Sequence, residues 1–469
     1  MENSITLHTY KYRIGGVVPA IASKSHAHRL IIAASLASEK TRVWINTSSK
    51  DIEATIDCMT KLGASFEKVD GGYVVTPISR NDDTSEKYSV DCGESGSTLR
   101  FLLPILGVLG FDTSITMHGR LSERPLSPLY EEMERHGVTM SEMGSNPFSI
   151  SGKLSGGIYE IAGNVSSQYI TGLLLSLPMA KEDSEIRVTG KLESRPYVDI
   201  TLSVLDMFGI DYEEMAPDNP ASINESTRSE ISTVFSIKGN QQYNSPKECT
   251  VSGDWSNAAF FLSAGAMSKD GVTVTGLDMN SPQGDKRIVD LLREFGAEII
   301  ISPCDDVNSE STKGDAPLSS VTIKGGHLHG IEIDAADIPD LVPILSAVAA
   351  TAEGTTTIRN IERLRIKESD RVKTIIETLT GLGAEIYESS SADSQETSSD
   401  GPCLVITGKP SLSGGTVDSF NDHRIAMTAA VLSIACSGSV TINDPFAVNK
   451  SYPSFYEDFD CIIIKIGIR

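Results

Sequence analysis

The chain has 469 residues, with 40 Lys and Arg against 63 Asp and Glu, a formal net charge of -23. That length holds two to four domains and excludes a peptide hormone or a disulfide miniprotein. The acidic balance argues against wrapping nucleic acid or lying on an anionic membrane, so any phosphate site must be a concentrated local cluster of cations.

The opening stretch, MENSITLHTYKYRIGG, has no apolar leader, and the longest nearly apolar run, Phe101 to Phe111, is far shorter than the roughly 20 residues of a spanning helix. The seven cysteines are scattered without a C-x-x-C pair, which fits neither a disulfide framework nor a zinc site. These features lead us to expect a soluble, cytoplasmic chain with no metal.

In chain order, the first predicted helix follows SKSHAHR, Ser23 to Arg29, with Ser25 as its cap and Arg29 four residues on along the same face. GESGSTLR, Gly93 to Arg100, precedes FLLPILGVLG; its two glycines and three hydroxyls suit a loop that approaches an anion with its backbone. It is neither a Walker A loop nor a G-x-G-x-x-G fingerprint. In GRLSERPLSPL, Arg124 precedes Pro125, a residue suited to the first turn of a helix. VSSQ, with Ser166, Ser167 and Gln168, and SRPYVD, with Ser194, place uncharged donors before apolar helices. Simple capping is the plainer account of each.

Further on, ADIPDLVPIL sets Asp340 at the edge of an apolar run. RLRIKESDRVKTIIETL spaces Lys367, Glu368 and Arg371 so that a helix would present a carboxylate between cations on one face. NDHRIAMTAA opens an apolar helix with His423 and Arg424, and Lys450 follows in VNKSYPSF.

A longer pattern underlies these motifs. A periodic stretch ending in Gly, then Ala, Val or Ile and a strand-like run, recurs at Gly63, Gly137, Gly209, Gly296 and Gly383, at spacings of 74, 72, 87 and 87 residues. Gly at such a junction supplies a left-handed C-cap. After four of the five comes a second strand ending Ile-x-Gly, as in FSISG and VTIKG. The repeat unit is helix, strand, turn, strand, and the Ser/Asp/Glu-rich stretch Ser389 to Pro402 reads as a solvated hairpin loop.

Taken in order, SKSHAHR, GESGSTLR, SERP, VSSQ, SRPYVD, GDWSNAAF, IPD, RIKESDR, NDHR and NKSYPSF resemble the EPSP synthase family, the 3-phosphoshikimate 1-carboxyvinyltransferases. The likeness runs from about Ser23 to Phe455, and R-x-K-E-S/T-D-R followed by N-D-H-R carries most of it. It implies an α/β (α+β) fold of two similar lobes, each of three βαβαββ units with parallel helices whose N-termini face an interlobe cleft. One lobe would span residues 21–242, the shikimate 3-phosphate side, and the other residues 1–20 with 243–469. One helix end contributes only about 0.3 to 1 kcal/mol toward an anion and a charge-assisted hydrogen bond about 1.5 to 3, so side-chain cations should dominate.

The resemblance further implies two partners, shikimate 3-phosphate and phosphoenolpyruvate, no cofactor, and a monomer. Arg124, Arg371, Arg424 and Lys450 look like phosphoenolpyruvate ligands, with Gly96 admitting the backbone and Gln168 donating from the side. Lys24, Ser25 and Arg29 would reach the shikimate portion; Ser166, Ser167 and Ser194 would cradle its 3-phosphate; Lys367 and Asp340 would hold ring hydroxyls. Glu368 is the candidate for proton exchange at the methylene and Asp340 for accepting the 5-hydroxyl proton, with Lys24 as an alternative proton carrier. Glyphosate competes with phosphoenolpyruvate in many members. This chain departs from the family's familiar pattern at Glu94 and Phe101, beside the Gly-rich loop, and at Arg363.

Two other readings stay open on sequence alone. The related transferase acting on UDP-N-acetylglucosamine usually carries a Cys in the segment that here reads HGRLSERPLSPL, which has none. A noncatalytic anion-binding scaffold would bind without turnover.

Overall fold

The computed structural model describes residues 3–79, 87–216, 231–304, 318–389 and 401–464; most of the expected hairpin loop, 390–400, lies outside the described residues. Among those described, the first six α-helices are α1 (Lys24–Leu36), α2 (Lys50–Lys61), α3 (Gly96–Leu109), α4 (Leu129–Arg135), α5 (Ser167–Ser176) and α6 (Arg195–Met207). The remaining six are α7 (Trp255–Ala266), α8 (Ile288–Phe295), α9 (Val342–Ala349), α10 (Arg371–Gly381), α11 (His423–Leu432) and α12 (Phe455–Cys461).

Hydrophobic patterning separates these helices into two layers. The odd-numbered helices are apolar almost all round, as in WSNAAFFLSAGA and VPILSAVA, and bury nearly their whole length. A helix with no polar face has to sit in an interior. The longer even-numbered helices are amphipathic: α2 buries Ile52, Ile56 and Met59, and α8 buries Leu291, Leu292 and Phe295, while most of their charged residues face water. Inner helices α1, α3 and α5 belong to one apolar core and α7, α9 and α11 to a second.

The strands form five four-stranded sheets and one of three strands, together with a two-stranded ribbon, among the described residues. Lys87–Asp91 runs parallel to Asp112–Thr116, which pairs antiparallel with Phe148–Gly152, itself antiparallel to Val138–Met140. In chain order that is β-α-β-α-β-β, and the strand order of the other four-stranded sheets follows the same scheme. The five junction glycines all take positive φ, from 66° to 106°. At Gly296 a Cβ would also lie 2.3 Å from the His327 carbonyl oxygen, so the left-handed turn and the close chain approach both demand glycine.

The two cores exchange strands where the chain crosses between them. Gly16–Pro19 leads directly into α1 yet pairs with Val272–Leu277 on the second core. Glu248–Thr250 leads into α7 yet pairs with Thr41–Trp44 on the first. Tyr243, Cys249 and Val251 therefore pack in the first core, and the return crossing falls at residues 252–254 rather than after residue 242 as expected. The crossings lie side by side: Ser23 N donates to Ser252 O and Asp254 N to Ile21 O, both at 2.8 Å.

Gln283 fastens this clasp from outside. Its Oε1 accepts from Trp255 N at 3.0 Å and Ser23 Oγ at 3.2 Å, and its Nε2 donates to Gly253 O at 2.8 Å and Ser252 Oγ at 3.1 Å. Gln283 is buried, so truncation would strand donors and acceptors on both crossings. Gln283→Ala is expected to lower stability by about 2 to 3 kcal/mol, read from the midpoint of urea denaturation at unchanged slope.

Candidate active site

The inner helices start at one place. Ser23, not Ser25, caps α1, accepting from His26 N; Ser25 lies within the first turn because the helix already begins at Lys24. Ser95 caps α3, Ser166 caps α5, Asp254 caps α7 and Asp422 caps α11, each through a side-chain oxygen. Ser194 instead sits at φ 55° and its Oγ accepts from Arg363 Nη1 at 2.8 Å. Residues at or next to the starts of α1, α3, α5, α6, α7, α9 and α11 line one cavity between the two cores.

That cavity holds Lys24, Ser25, Arg29, Arg124, Ser166, Ser167, Gln168, Ser194, Asp340, Lys367, Glu368 and Arg424, all anticipated from sequence. Gly96, Arg371 and Lys450 are not among the residues that line it. A Cβ on Gly96 would come within 2.5 Å of Arg124 Nη1, so the glycine lets the guanidinium lie against the loop. Among the described residues the wall carries seven cations (Lys24, Arg29, Arg100, Arg124, Arg363, Lys367, Arg424) and three carboxylates (Asp254, Asp340, Glu368), an excess of four positive charges on an acidic body. Burial pushes Arg29 and Arg100 down to about 9, which leaves both charged at neutral pH. The Arg124 Nε is buried without an acceptor among the described residues, as a fork meant for a ligand would be.

The carboxylates are ordered by one arginine. Arg371 donates from Nη1 to Asp340 Oδ1 at 2.7 Å, from Nη2 to Glu368 Oε2 at 2.6 Å and from Nε to Asp422 Oδ2 at 2.8 Å. Burial alone would raise Asp340, but Arg424, Lys367 and Arg371 hold it well below the usual carboxylate range. Burial likewise opposes ionisation of Glu368, and Arg371, Arg124, His423 and Lys24 overcome it. Tyr197 donates to Asp340 Oδ2 at 2.7 Å. Lys24 is buried, yet Asp51 at 3.0 Å and Glu368 keep its pKa raised. Burial pushes Lys367 down to about 8, against the pull of Asp340.

Two further local expectations are corrected. Lys367, Glu368 and Arg371 do not share a helical face, because Asp370 caps α10 and the helix starts only at Arg371. Lys367 and Glu368 are on the loop before it, which frees both to face the cavity. Pro125 does not open a helix; α4 begins at Leu129, and the Pro125 carbonyl accepts from Arg100 Nη2 and Tyr169 Oη instead. Sequence reading passed over Arg100, Tyr197 and Asp254 as site residues. Arg100 stands one helical turn after Gly96, and its Nη1 donates to Gln168 Oε1 at 2.7 Å. That i, i+4 spacing inside a recognised motif was the available signal.

An α/β frame of repeated units around a cationic interlobe cavity is the enolpyruvyl transferase architecture. The enolpyruvyl transferase NikO from Streptomyces tendae matches the fold with a TM-score of 0.69 at 18% identity, covering 98% of this chain and 96% of that one. EPSP synthase from Acinetobacter baumannii matches at TM-score 0.74 and 25% identity, over 99% of this chain and 98% of that one. Residues 9–459 match the family described as EPSP synthase (3-phosphoshikimate 1-carboxyvinyltransferase). The 3-phosphoshikimate 1-carboxyvinyltransferase of Clostridium kluyveri is 40% identical over 449 residues, 95% of each chain. The chain belongs to the EPSP synthase family.

The position of Lys367 gives the cavity a pH dependence. Its charge is complete well below pH 8 and is lost as pH rises through that value, so anion affinity falls on the alkaline side. Calorimetric titration with inorganic phosphate should weaken roughly threefold to tenfold between about pH 8 and 9, and Lys367→Gln should flatten that arm.

Proposed function

We propose that the protein transfers the carboxyvinyl group of phosphoenolpyruvate to the 5-hydroxyl of shikimate 3-phosphate, releasing inorganic phosphate, as its family does. The observation that carries this reading is the pair of carboxylates, Asp340 and Glu368, held by Arg371 inside a cavity with an excess of cations. A passive phosphate site gains nothing from buried carboxylates. A reaction that moves two protons beside anionic substrates requires them.

On this reading each group has a part in the chemistry. Arg124, Arg424 and Lys450 take the phosphate and carboxylate of phosphoenolpyruvate, with Gln168 donating from the side; Ser166, Ser167 and Ser194 take the acceptor's phosphate, and Ser25 and Arg29 reach its shikimate portion. Asp340, ionised and oriented by Tyr197, accepts the 5-hydroxyl proton as the oxygen attacks C2. Glu368 exchanges the proton at C3. In the free protein Arg124 and Lys24 help to keep Glu368 ionised. A bound phosphate dianion neutralises those two cations, so substrate binding itself raises the proton affinity of Glu368. Lys24, on the first residue of α1 beside the double crossing, faces both substrates and stabilises the departing phosphate. Arg371 acts through the carboxylates it holds. The reaction calls on no metal or redox cofactor.

The same reading takes residues 22–251 as one lobe and residues 3–21 with 252–464 as the other, and it makes the enzyme a cytoplasmic monomer with no nucleic-acid or membrane partner. Cys58, Cys92, Cys249 and Cys436 are buried free thiols, in keeping with a reducing compartment. No helix among the described residues is long and apolar enough to cross a membrane.

Phosphate release tests the assignment. With phosphoenolpyruvate and shikimate 3-phosphate the wild type should turn over, and with UDP-N-acetylglucosamine it should not. Glu368→Gln should lose about a hundredfold or more in kcat, and Arg124→Ala should raise KM for phosphoenolpyruvate roughly tenfold to a hundredfold. Binding of both ligands without release would leave the passive scaffold as the better account.

A further inference from the structure

Glu94 occupies the turn just before the Ser95 cap of α3, a carboxylate in a loop otherwise built of glycines and hydroxyls. Its Oε2 accepts from Lys450 Nζ at 2.7 Å and from Asn421 Nδ2 at 3.1 Å, both on the opposite lobe. Gly119 makes the room: a Cβ there would lie 2.6 Å from Glu94 Oε2. Lys450 Nζ also donates to the Asn421 carbonyl at 2.7 Å, so two of its three donors are engaged. The Lys450 side chain is only 10% exposed and does not reach the cavity wall, although its neighbour Ser451 does.

A buried ammonium needs a counter-charge, and Glu94 supplies it from across the cleft. We infer that Glu94 is a built-in competitor anion that holds Lys450 when no substrate anion does, and so sets how tightly phosphoenolpyruvate is bound. This rests on reading Lys450 as a phosphoenolpyruvate ligand. An incoming phosphate or carboxylate has to take over a partnered cation. The Glu94 side chain, 34% exposed, is able to swing to water as this happens. Glu94 is therefore a positioning residue that works through Lys450.

Glu94→Gln keeps an acceptor oxygen and removes the charge. KM for phosphoenolpyruvate should fall about threefold to tenfold, with kcat and the acceptor's KM within about twofold. In a Lys450→Gln background the same substitution should leave KM for phosphoenolpyruvate unmoved. An unchanged or higher KM in the single variant overturns the inference, as does an equal fall in the Lys450→Gln background. If Glu94→Gln does not fold, Glu94→Asp, one methylene too short to keep the contact, should shift KM in the same direction. Calorimetric titration with inorganic phosphate reads the same affinity ratio whether or not carboxyvinyl transfer is the reaction. Failure of the reaction assignment is thereby separated from failure of the Glu94 assignment.

Discussion

The guanidinium of Arg371, buried among Asp340, Glu368 and Asp422, is the interaction on which the rest of the site depends. Taking such charges out of water costs several kcal/mol for each ion, and removing one partner of a buried pair typically costs about 3 to 5 kcal/mol. An apolar cluster of the same volume would be at least as stable. What the charged cluster provides is chemistry: two carboxylates kept ionised, their oxygens aimed, in a place where burial alone would protonate them. Asp422 does double service, since it also caps α11 and thereby fixes where Arg424 enters the cavity.

The second constraint is the double crossing. Because each core borrows a strand that precedes the other core's first inner helix, the two linkers run antiparallel and hydrogen-bonded. Lys24 and Asp254 leave that clasp in opposite directions, and Lys24 N donates to Asp254 Oδ2 at 3.0 Å. A residue at the start of α1 thus belongs to both lobes at once. Away from the clasp the lobes meet through polar groups: Tyr197 on Asp340, Arg363 on Ser194 and Glu193, and Glu94 on Lys450. Such contacts open and reform more readily than an apolar seam, which suits a site that has to admit two anions and then exclude water.

The acidic body and the basic cleft are compatible because screening is short-ranged. At physiological salt the Debye length is about 8 Å, so surface carboxylates contribute little inside a cavity whose own walls carry the cations. The inner helices add to this field at their N-termini, but by amounts smaller than one charge-assisted hydrogen bond each. Hydroxyl and amide groups of Ser166, Ser167 and Gln168 share the cavity wall with those cations.

Much of this was legible in the amino-acid order alone. Apolar helices without a polar face, junction glycines and paired strands are local consequences of patterning and of backbone sterics, so the repeated unit could be read before any coordinates. The motif residues were legible too, since small polar groups and cations at helix starts are a short-range signature. Three things were not. The start of α10 was hidden because charge spacing looks helical whether or not Asp370 caps the chain after Glu368. The place of the second crossing was hidden because Glu248–Thr250 reads as a strand without saying which sheet it joins. The partners of Arg371 and Glu94 were hidden because Asp422, Asn421 and Lys450 are remote in sequence. Local order determined the elements and the chemical groups each one offers, while only the tertiary structure decided which groups share a cavity and which carboxylate answers which cation, because long-range pairing depends on how the lobes cross and close.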